Sequence, residues 1–368
     1  MRVYLTGGTG LLGSHLASEL RAQGHEVVAL HRAAANTLAL EEVECELVEG
    51  DVCDEANTLA PGMEGCTHVV HGAALVYADG TWPEVRAVNV DGTRNVLTAS
   101  VQAGVGHALH VSSVAVYGPA EAPVDEDTPI DSIIPASDLY ARSKREAEEV
   151  ARGIERIKNL PVSIVRPSAI YGERDRLMVP ALQKILRMPI VPLLGSGTNT
   201  VPVVYAGNLA GVLIRVLEAA RGGTTYDLGL DRPLRQCDLL KFLARGLGER
   251  VRFVSIPARL VNVCARLLDR LGVSTPGARH LPISRVARLT LADNPYPSSR
   301  VRAELGWDPV YEHRDALLQT GRWAADHPRG PRAATTTGST PGSCRGETSR
   351  RPCTWPMASP PRWTRSAG

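Results

Sequence analysis

The sequence predicts an α/β fold: a doubly wound parallel sheet with a smaller, mostly helical C-terminal domain and a disordered tail. Three observations carry this expectation. Short apolar runs alternate with longer amphipathic stretches through the first half of the chain, and four glycines fall from Gly7 to Gly13 between the first run and the first such stretch. Near Pro328 the composition shifts to Pro, Gly, Ser, Thr and Arg without periodicity. A βαβα order implies right-handed crossovers, helices on both sheet faces and ligands at the C-terminal strand ends.

In chain order, VYL, EVVAL, CELVE, THVVH, HALHVSS and PVSIVR read as buried strands. Between them lie helical patterns such as LLGSHLASELRAQG and the stretch from Val85 to Gly104. At 368 residues and 43% apolar content the chain can bury a large core. Its formal charge is +2, but residues 329–368 hold seven arginines against the single acid Glu347, so the remainder is slightly acidic and offers no basic footprint for nucleic acid. The seven cysteines form an odd set with no CxxC and no metal-ligand spacing. The start lacks a charged segment followed by a signal-type apolar core, and no apolar run reaches the roughly 18 residues of a spanning helix. The expectation is a cytoplasmic protein without a bound metal, whose segment 328–368 is solvated disorder outside the fold.

The first turn carries the first chemical signal. MRVYLTGGTGLLGSHL contains both Gly8-x-Gly10-x-x-Gly13 and Gly7-x-x-Gly10-x-x-Gly13, directly between a strand and a helix. A tight turn there lets a pyrophosphate reach backbone N–H groups and a helix N-terminus. The alternative is a glycine turn needed only for close packing. The next strand ends in His31 and Arg32, where an acid would bond the adenosine ribose and repel a 2′-phosphate. That favours NADP(H), with NAD(H) as the second choice, unless Arg32 is only a solvated surface cation. Asp51, after the third strand, can accept from an adenine amino group or cap a helix starting near Asp54.

LYARSK then places Tyr140 and Lys144 on one face of a predicted helix. An ammonium beside a phenol stabilises the phenolate and lowers its reference pKa of about 10. Tyr140 can then exchange a proton with a substrate oxygen while a nicotinamide carries the hydride, and Lys144 can also bond the ribose. Upstream, HVSSVAVYG ends a strand in Ser112 and Ser113, whose hydroxyls can orient or polarise a carbonyl.

Together TGGTGLLG, HGAAL, VNVDGTRNV, VSSVAVYG, YARSK and IVRPSAIYG resemble, in order and spacing, the extended short-chain dehydrogenase/reductases over about residues 1–325. The resemblance implies that Ser113, Tyr140 and Lys144 are the catalytic residues. It implies that Gly7, Gly10, Leu11, Leu12, Gly13, Asp51, Val52, Gly72, Ala73, Ala74, Asn89 and Pro167 line the dinucleotide, as do Tyr140 and Lys144.

Sugar-nucleotide epimerases and dehydratases of that family usually carry an Asp where this chain has His31, and an Arg-Asp pair that grips the sugar nucleotide's diphosphate. Here Val201 and Pro202 stand at those places, and Val114 and Ala115 follow Ser113 where 4,6-dehydratases have acids. A diphosphate buried without a cation is costly. The chain therefore resembles the branch of 3β-hydroxysteroid dehydrogenases and dihydroflavonol reductases. That branch implies alcohol–ketone interconversion on an apolar, steroid-, flavonoid- or lipid-like small molecule. A sugar-nucleotide epimerase and a non-catalytic dinucleotide sensor stay as rival readings, the sensor disfavoured by the Tyr140–Lys144 pair. Gly207 replaces an Asp that is frequent in relatives.

Further on, IPARLVNVCARLLDRLG puts Leu260, Cys264, Leu267, Leu268 and Leu271 on one helical face, and PISRVARLTL follows with another. Such a face is expected to pack inward, with pocket lining or peripheral membrane contact as the alternative. The expected organisation is a Rossmann domain over 1–175 to which 201–230 returns, a substrate domain over 176–200 and 231–326, and the tail 328–368. The resemblance also implies a homodimer through the helices near Val85–Gly104 and Asp138–Asn159.

Overall fold

The computed structural model describes residues 1–76, 80–118, 123–273 and 282–327; the expected disordered tail lies outside these residues. The described strands are β1 (Arg2–Thr6), β2 (Glu26–His31), β3 (Glu46–Glu49), β4 (His68–His71), β5 (His107–Val111), β6 (Val162–Pro167), β7 (Ala169–Tyr171), β8 (Val191–Leu194), β9 (Val203–Tyr205), β10 (Thr225–Leu228) and β11 (Phe253–Ile256). Seven of them form one sheet in the order β10-β6-β5-β4-β1-β2-β3. Every neighbouring pair in it is parallel. The order reverses between β1 and β4, and at such a reversal the flanking loops diverge and open a crevice at the C-terminal strand ends. Thr6 pairs with both Leu30 and His71, which sets the ends of β1, β2 and β4 level.

Alternate residues explain the layering, because a parallel sheet buries both faces. Val3, Leu5, Val27, Ala29, Val70 and Leu109 face one apolar layer shared with helices Leu11–Ala22 and Ala206–Ala219. Tyr4, Val28, Val69, Ala108 and Ile164 face the other, shared with helices Gly92–Gln102 and Leu139–Lys158. A third apolar core joins Tyr171, Leu186, Val191, Val201, Leu243 and Leu317. It lies beside the small sheets β7–β9 and β8–β11, whose strands are only three or four residues long.

Three expectations are corrected. The stretch from Val85 to Gly104 is not one α-helix: helix Trp82–Arg86 runs into a π turn over Ala87–Asp91, then into helix Gly92–Gln102. The helix expected near Asp54 begins at Ala56. Most consequentially, the leucine face of helix Ala258–Arg270 does not pack inward. Leu260, Leu267 and Leu271 are 52%, 55% and 69% exposed, and Val261 and Ala265 are its buried residues. Periodicity identifies an apolar face but not a partner, and the inward arc meets only a small cluster with Leu194, Ile256, Ile283 and Ala287.

Candidate active site

The loop after β1 is closed by backbone on backbone. Gly7 has φ +77°, and a Cβ on it would sit 2.8 Å from the Ala73 nitrogen. A Cβ on Gly13 would sit 2.2 Å from the Gly7 carbonyl oxygen. Close packing therefore demands glycine at both positions, whatever else the loop holds. What the packing leaves over is the N-terminus of helix Leu11–Ala22. Its cap residue is Gly10, no side chain caps it, and no acid lies in its first turn. Uncapped N–H groups and the positive end of a helix dipole fit a pyrophosphate. Leu11 and Leu12, half-buried, flank that end.

The other expected cofactor residues gather at the same edge, because the strands are parallel and their C-termini share it. After β4, Gly72 N donates to the Thr6 carbonyl at 3.2 Å and Ala73 N to Thr6 Oγ1 at 3.2 Å, with Ala74 following. His31 ends β2, and Arg32 beside it is exposed. Asp51 follows β3; its carboxylate accepts from Cys53 N at 3.0 Å, so it shapes its own turn and does not cap a helix. Val52 is buried against the start of helix Gly92–Gln102, where a Cβ on Gly92 would meet Val52 Cγ2 at 3.0 Å. Pro167 closes β6.

The three candidate catalytic residues meet beyond β5. Ser113 caps the short 3-10 turn Val114–Tyr117, its hydroxyl accepting from Ala115 N at 3.2 Å. Asp138 caps helix Leu139–Lys158, accepting from Ala141 N at 3.1 Å, and so sets the first turn that carries Tyr140. The lowered phenol pKa expected from Lys144 is not found: burial pushes the Tyr140 phenol up to about 12, its hydrogen bond with Ser113 opposes that, and the Asp138 charge adds to it. One turn on, Lys144 Nζ donates to the Val111 carbonyl at 2.8 Å and lies 6.0 Å from the Tyr140 ring centre. Burial brings its ammonium down to about 8. This array can present the Ser113 hydroxyl and the Tyr140 phenol to one substrate oxygen, with the Lys144 ammonium behind the phenol ring.

Asn89 sits in the π turn and is buried. Its Oδ1 accepts from Leu75 N at 2.7 Å, and its Nδ2 donates to the Leu75 carbonyl at 3.0 Å and to Ser143 Oγ at 2.8 Å. It thereby ties the loop after β4 to the helix turn beside Lys144. A π turn at such a junction is a recurrent feature of functional sites.

Sequence reasoning missed two supports of this edge. Arg285, from helix Ile283–Leu291, pairs with the Asp138 carboxylate. Behind it, Arg166 on β6 donates to both Glu148 oxygens at 2.8 and 2.7 Å and to the Tyr117 hydroxyl at 2.7 Å, and that hydroxyl donates to Asp227 at 2.6 Å. The two departures noted in the sequence also find their places. Val201 is buried in the third core, its nitrogen donating to the Leu234 carbonyl at 2.9 Å. At Gly207 a Cβ would lie 2.6 Å from the Tyr205 ring, so an aspartate there would require the ring to shift. The buried Asp231 instead accepts from Tyr205 N at 3.1 Å and from Asn208 Nδ2 at 2.7 Å.

The model of the NAD dependent epimerase/dehydratase family matches residues 3–229. A 4-hydroxy-2-methyl-3-oxo-4-farnesyl-3,4-dihydroquinoline-1-oxide ketoreductase from Stigmatella aurantiaca is 29% identical, over 87% of this chain and 97% of its own. A 3 beta-hydroxysteroid dehydrogenase/Delta 5-->4-isomerase from Mycobacterium tuberculosis is 27% identical, over 86% and 89%. Among solved structures, a dTDP-glucose 4,6-dehydratase from Streptomyces venezuelae with NAD bound superposes with a TM-score of 0.67 at 28% identity, covering 89% of this chain and 97% of that one.

Proposed function

The chain belongs to the NAD dependent epimerase/dehydratase family, and we propose that it interconverts a secondary alcohol and a ketone on an apolar, steroid-, flavonoid- or lipid-like small molecule, with NADP(H) preferred over NAD(H). The observation that carries this reading is the approach of Ser113 and Lys144 to the Tyr140 phenol at the end of β5. A bound nicotinamide dinucleotide supplies or accepts the hydride. In the reducing direction Ser113 orients the carbonyl oxygen and Tyr140 Oη gives it a proton. In the oxidising direction Tyr140 starts as the phenolate, whose charge Lys144 opposes, and takes the hydroxyl proton to become the neutral phenol. The uncapped helix end after Gly10 holds phosphate, and Arg32 meets a 2′-phosphate.

The names of the ketoreductase and steroid dehydrogenase relatives favour an apolar ketone. So does Val201, a buried aliphatic residue where a sugar-nucleotide enzyme needs a cation. The dehydratase neighbour keeps sugar-nucleotide chemistry as the second reading. Residues 1–175 with 201–230 act as the dinucleotide-binding part, and 176–200 with 231–326 as the substrate part. No described helix is long and apolar enough to cross a membrane, and we place the enzyme in the cytoplasm. A homodimer forms across helices Gly92–Gln102 and Leu139–Lys158, where a cleft of about 940 Å³ is lined by Arg94, Arg142 and the exposed Ile157.

The test is a panel of steroid, flavonoid and acyl ketones beside nucleotide sugars, followed by NADPH and NADH absorbance and by product analysis. Ketone-dependent NADPH oxidation supports the reading. Conversion of a nucleotide sugar without net cofactor turnover overturns it in favour of the second.

A further inference from the structure

Helix Ala258–Arg270 presents outward what a surface helix ordinarily turns inward. At 100° per residue, its buried Val261 and Ala265 define the inner arc, where they meet Leu194, Ile256 and Ala287. Val263 lies directly opposite and Leu267, Leu260 and Leu271 follow it round the outer side, with Val263 65% exposed and Leu271 69% exposed. Exposed Val254 and Val273 flank the helix in sequence. The one acid of the helix, Asp269, is turned to its neighbour, its two oxygens accepting from Ile283 N at 2.7 Å and Ser284 N at 3.1 Å.

Charge follows one edge of this apolar arc. Arg259, Arg266 and Arg270 fall on one line along the helix beside the leucines, and all three are exposed. Among the described residues none of them forms an ion pair with a carboxylate. An outward apolar stripe bordered by cations and free of outward acids is the pattern of a helix lying in a membrane interface: the apolar arc enters the headgroup–acyl boundary and the cations meet lipid phosphate. A second copy would have to bring acids to that arginine row, and this face carries none to offer its twin.

We propose that this face docks the protein on an anionic lipid bilayer, as a peripheral contact, with Leu260, Val263, Leu267 and Leu271 inserted and Arg259, Arg266 and Arg270 on the headgroups. The inference stands apart from the roles given to Ser113, Tyr140 and Lys144.

The test is co-sedimentation of the full chain with vesicles of phosphatidylcholine alone and of phosphatidylcholine with phosphatidylglycerol. The arginines of 329–368 also attract anionic vesicles, so the comparison is between full chains that differ only on the helix. Wild type is expected on the phosphatidylglycerol vesicles. Leu267→Glu/Leu271→Glu should lower its partition by about tenfold or more, and Arg266→Ser/Arg270→Ser by about fivefold per arginine at low salt. The four residues are exposed, so an unchanged thermal melt keeps these variants interpretable. No partition of wild type, or equal partition of wild type and variants, overturns the proposal. So does a higher-order oligomer in light scattering that Leu267→Glu/Leu271→Glu halves, since the occupant is then a second copy.

Discussion

The guanidinium of Arg285 closes on the carboxylate of Asp138, the residue that caps the helix of Tyr140 and Lys144. The two side chains are 12% and 4% exposed. The pair spans 147 residues of sequence and joins helix Ile283–Leu291 to the first turn that positions the phenol. Arg285→Met would strand a buried carboxylate two residues from Tyr140. Removing one partner of such a pair costs about 3 kcal/mol. The Asp138 charge already raises the phenol pKa, so its neutralisation by Arg285 matters to chemistry as well as to stability. The expected outcome is a lower melting temperature and an oxidation pH profile displaced upward. Asp138→Asn in the same background should return both part of the way. An unchanged profile in Arg285→Met would separate the pair from the phenol.

Tyr140→Phe removes only a hydroxyl. Turnover should fall by ~10²-fold or more, with cofactor affinity nearly intact in fluorescence titration. Lys144→Met should weaken turnover and cofactor binding together. With the phenol held near 12 by burial, wild-type alcohol oxidation should rise with pH through the alkaline range, whereas ketone reduction, which uses the protonated phenol, should not.

Arg32→Ala should narrow the preference for NADPH over NADH by roughly ten- to hundredfold, the worth of a charge-assisted contact to a phosphate. His31→Asp should turn selectivity toward NADH, because the new carboxylate accepts from ribose hydroxyls and repels a 2′-phosphate. Equilibrium titration of both cofactors at fixed ionic strength decides this. A wild type that binds NADH more tightly and ignores Arg32→Ala would remove Arg32 from the site.

Asp227 gives a pH signature in stability. Burial raises its carboxyl from an ordinary 3.8 to about 7, with the Tyr117 bond and Arg166 opposing. The folded state then holds this proton more tightly than the unfolded one between those values. Its contribution to stability is present below about pH 4, is lost as pH rises toward 7, and is flat beyond. Asp227→Asn keeps an acceptor for Tyr117 and abolishes the titration. Relative to wild type, the variant should gain a few degrees of melting temperature between pH 5 and pH 8. A constant difference across that range would place the Asp227 proton elsewhere.

Much of the candidate site's placement was legible in the sequence because its residues cluster in loops that parallel strands bring to one edge, so order along the chain nearly fixes position in space. Gly7, Gly72, Ser113 and Pro167 are readable for that reason. What escaped has no local signature. Arg285 and Asp138 meet only through tertiary packing, and β7 and β9 are too short for a period of two to register. Leu260, Leu267 and Leu271 announced an apolar face with full periodicity, yet the inward reading failed, because periodicity carries no information about what the face meets.

The π turn at Ala87–Asp91 has a consequence for how this enzyme can be edited. A turn of that kind carries about one residue more than an α-helix needs, so the helices on either side are out of phase by roughly 100°. Deleting a single residue there would bring them back into phase and spare the sheet. The same deletion would swing Asn89 away from Leu75 and Ser143, uncoupling the loop after β4 from the helix of Lys144. One surplus residue thus acts as a spacer that sets the phase between helices Trp82–Arg86 and Gly92–Gln102 and holds Asn89 between Leu75 and Ser143.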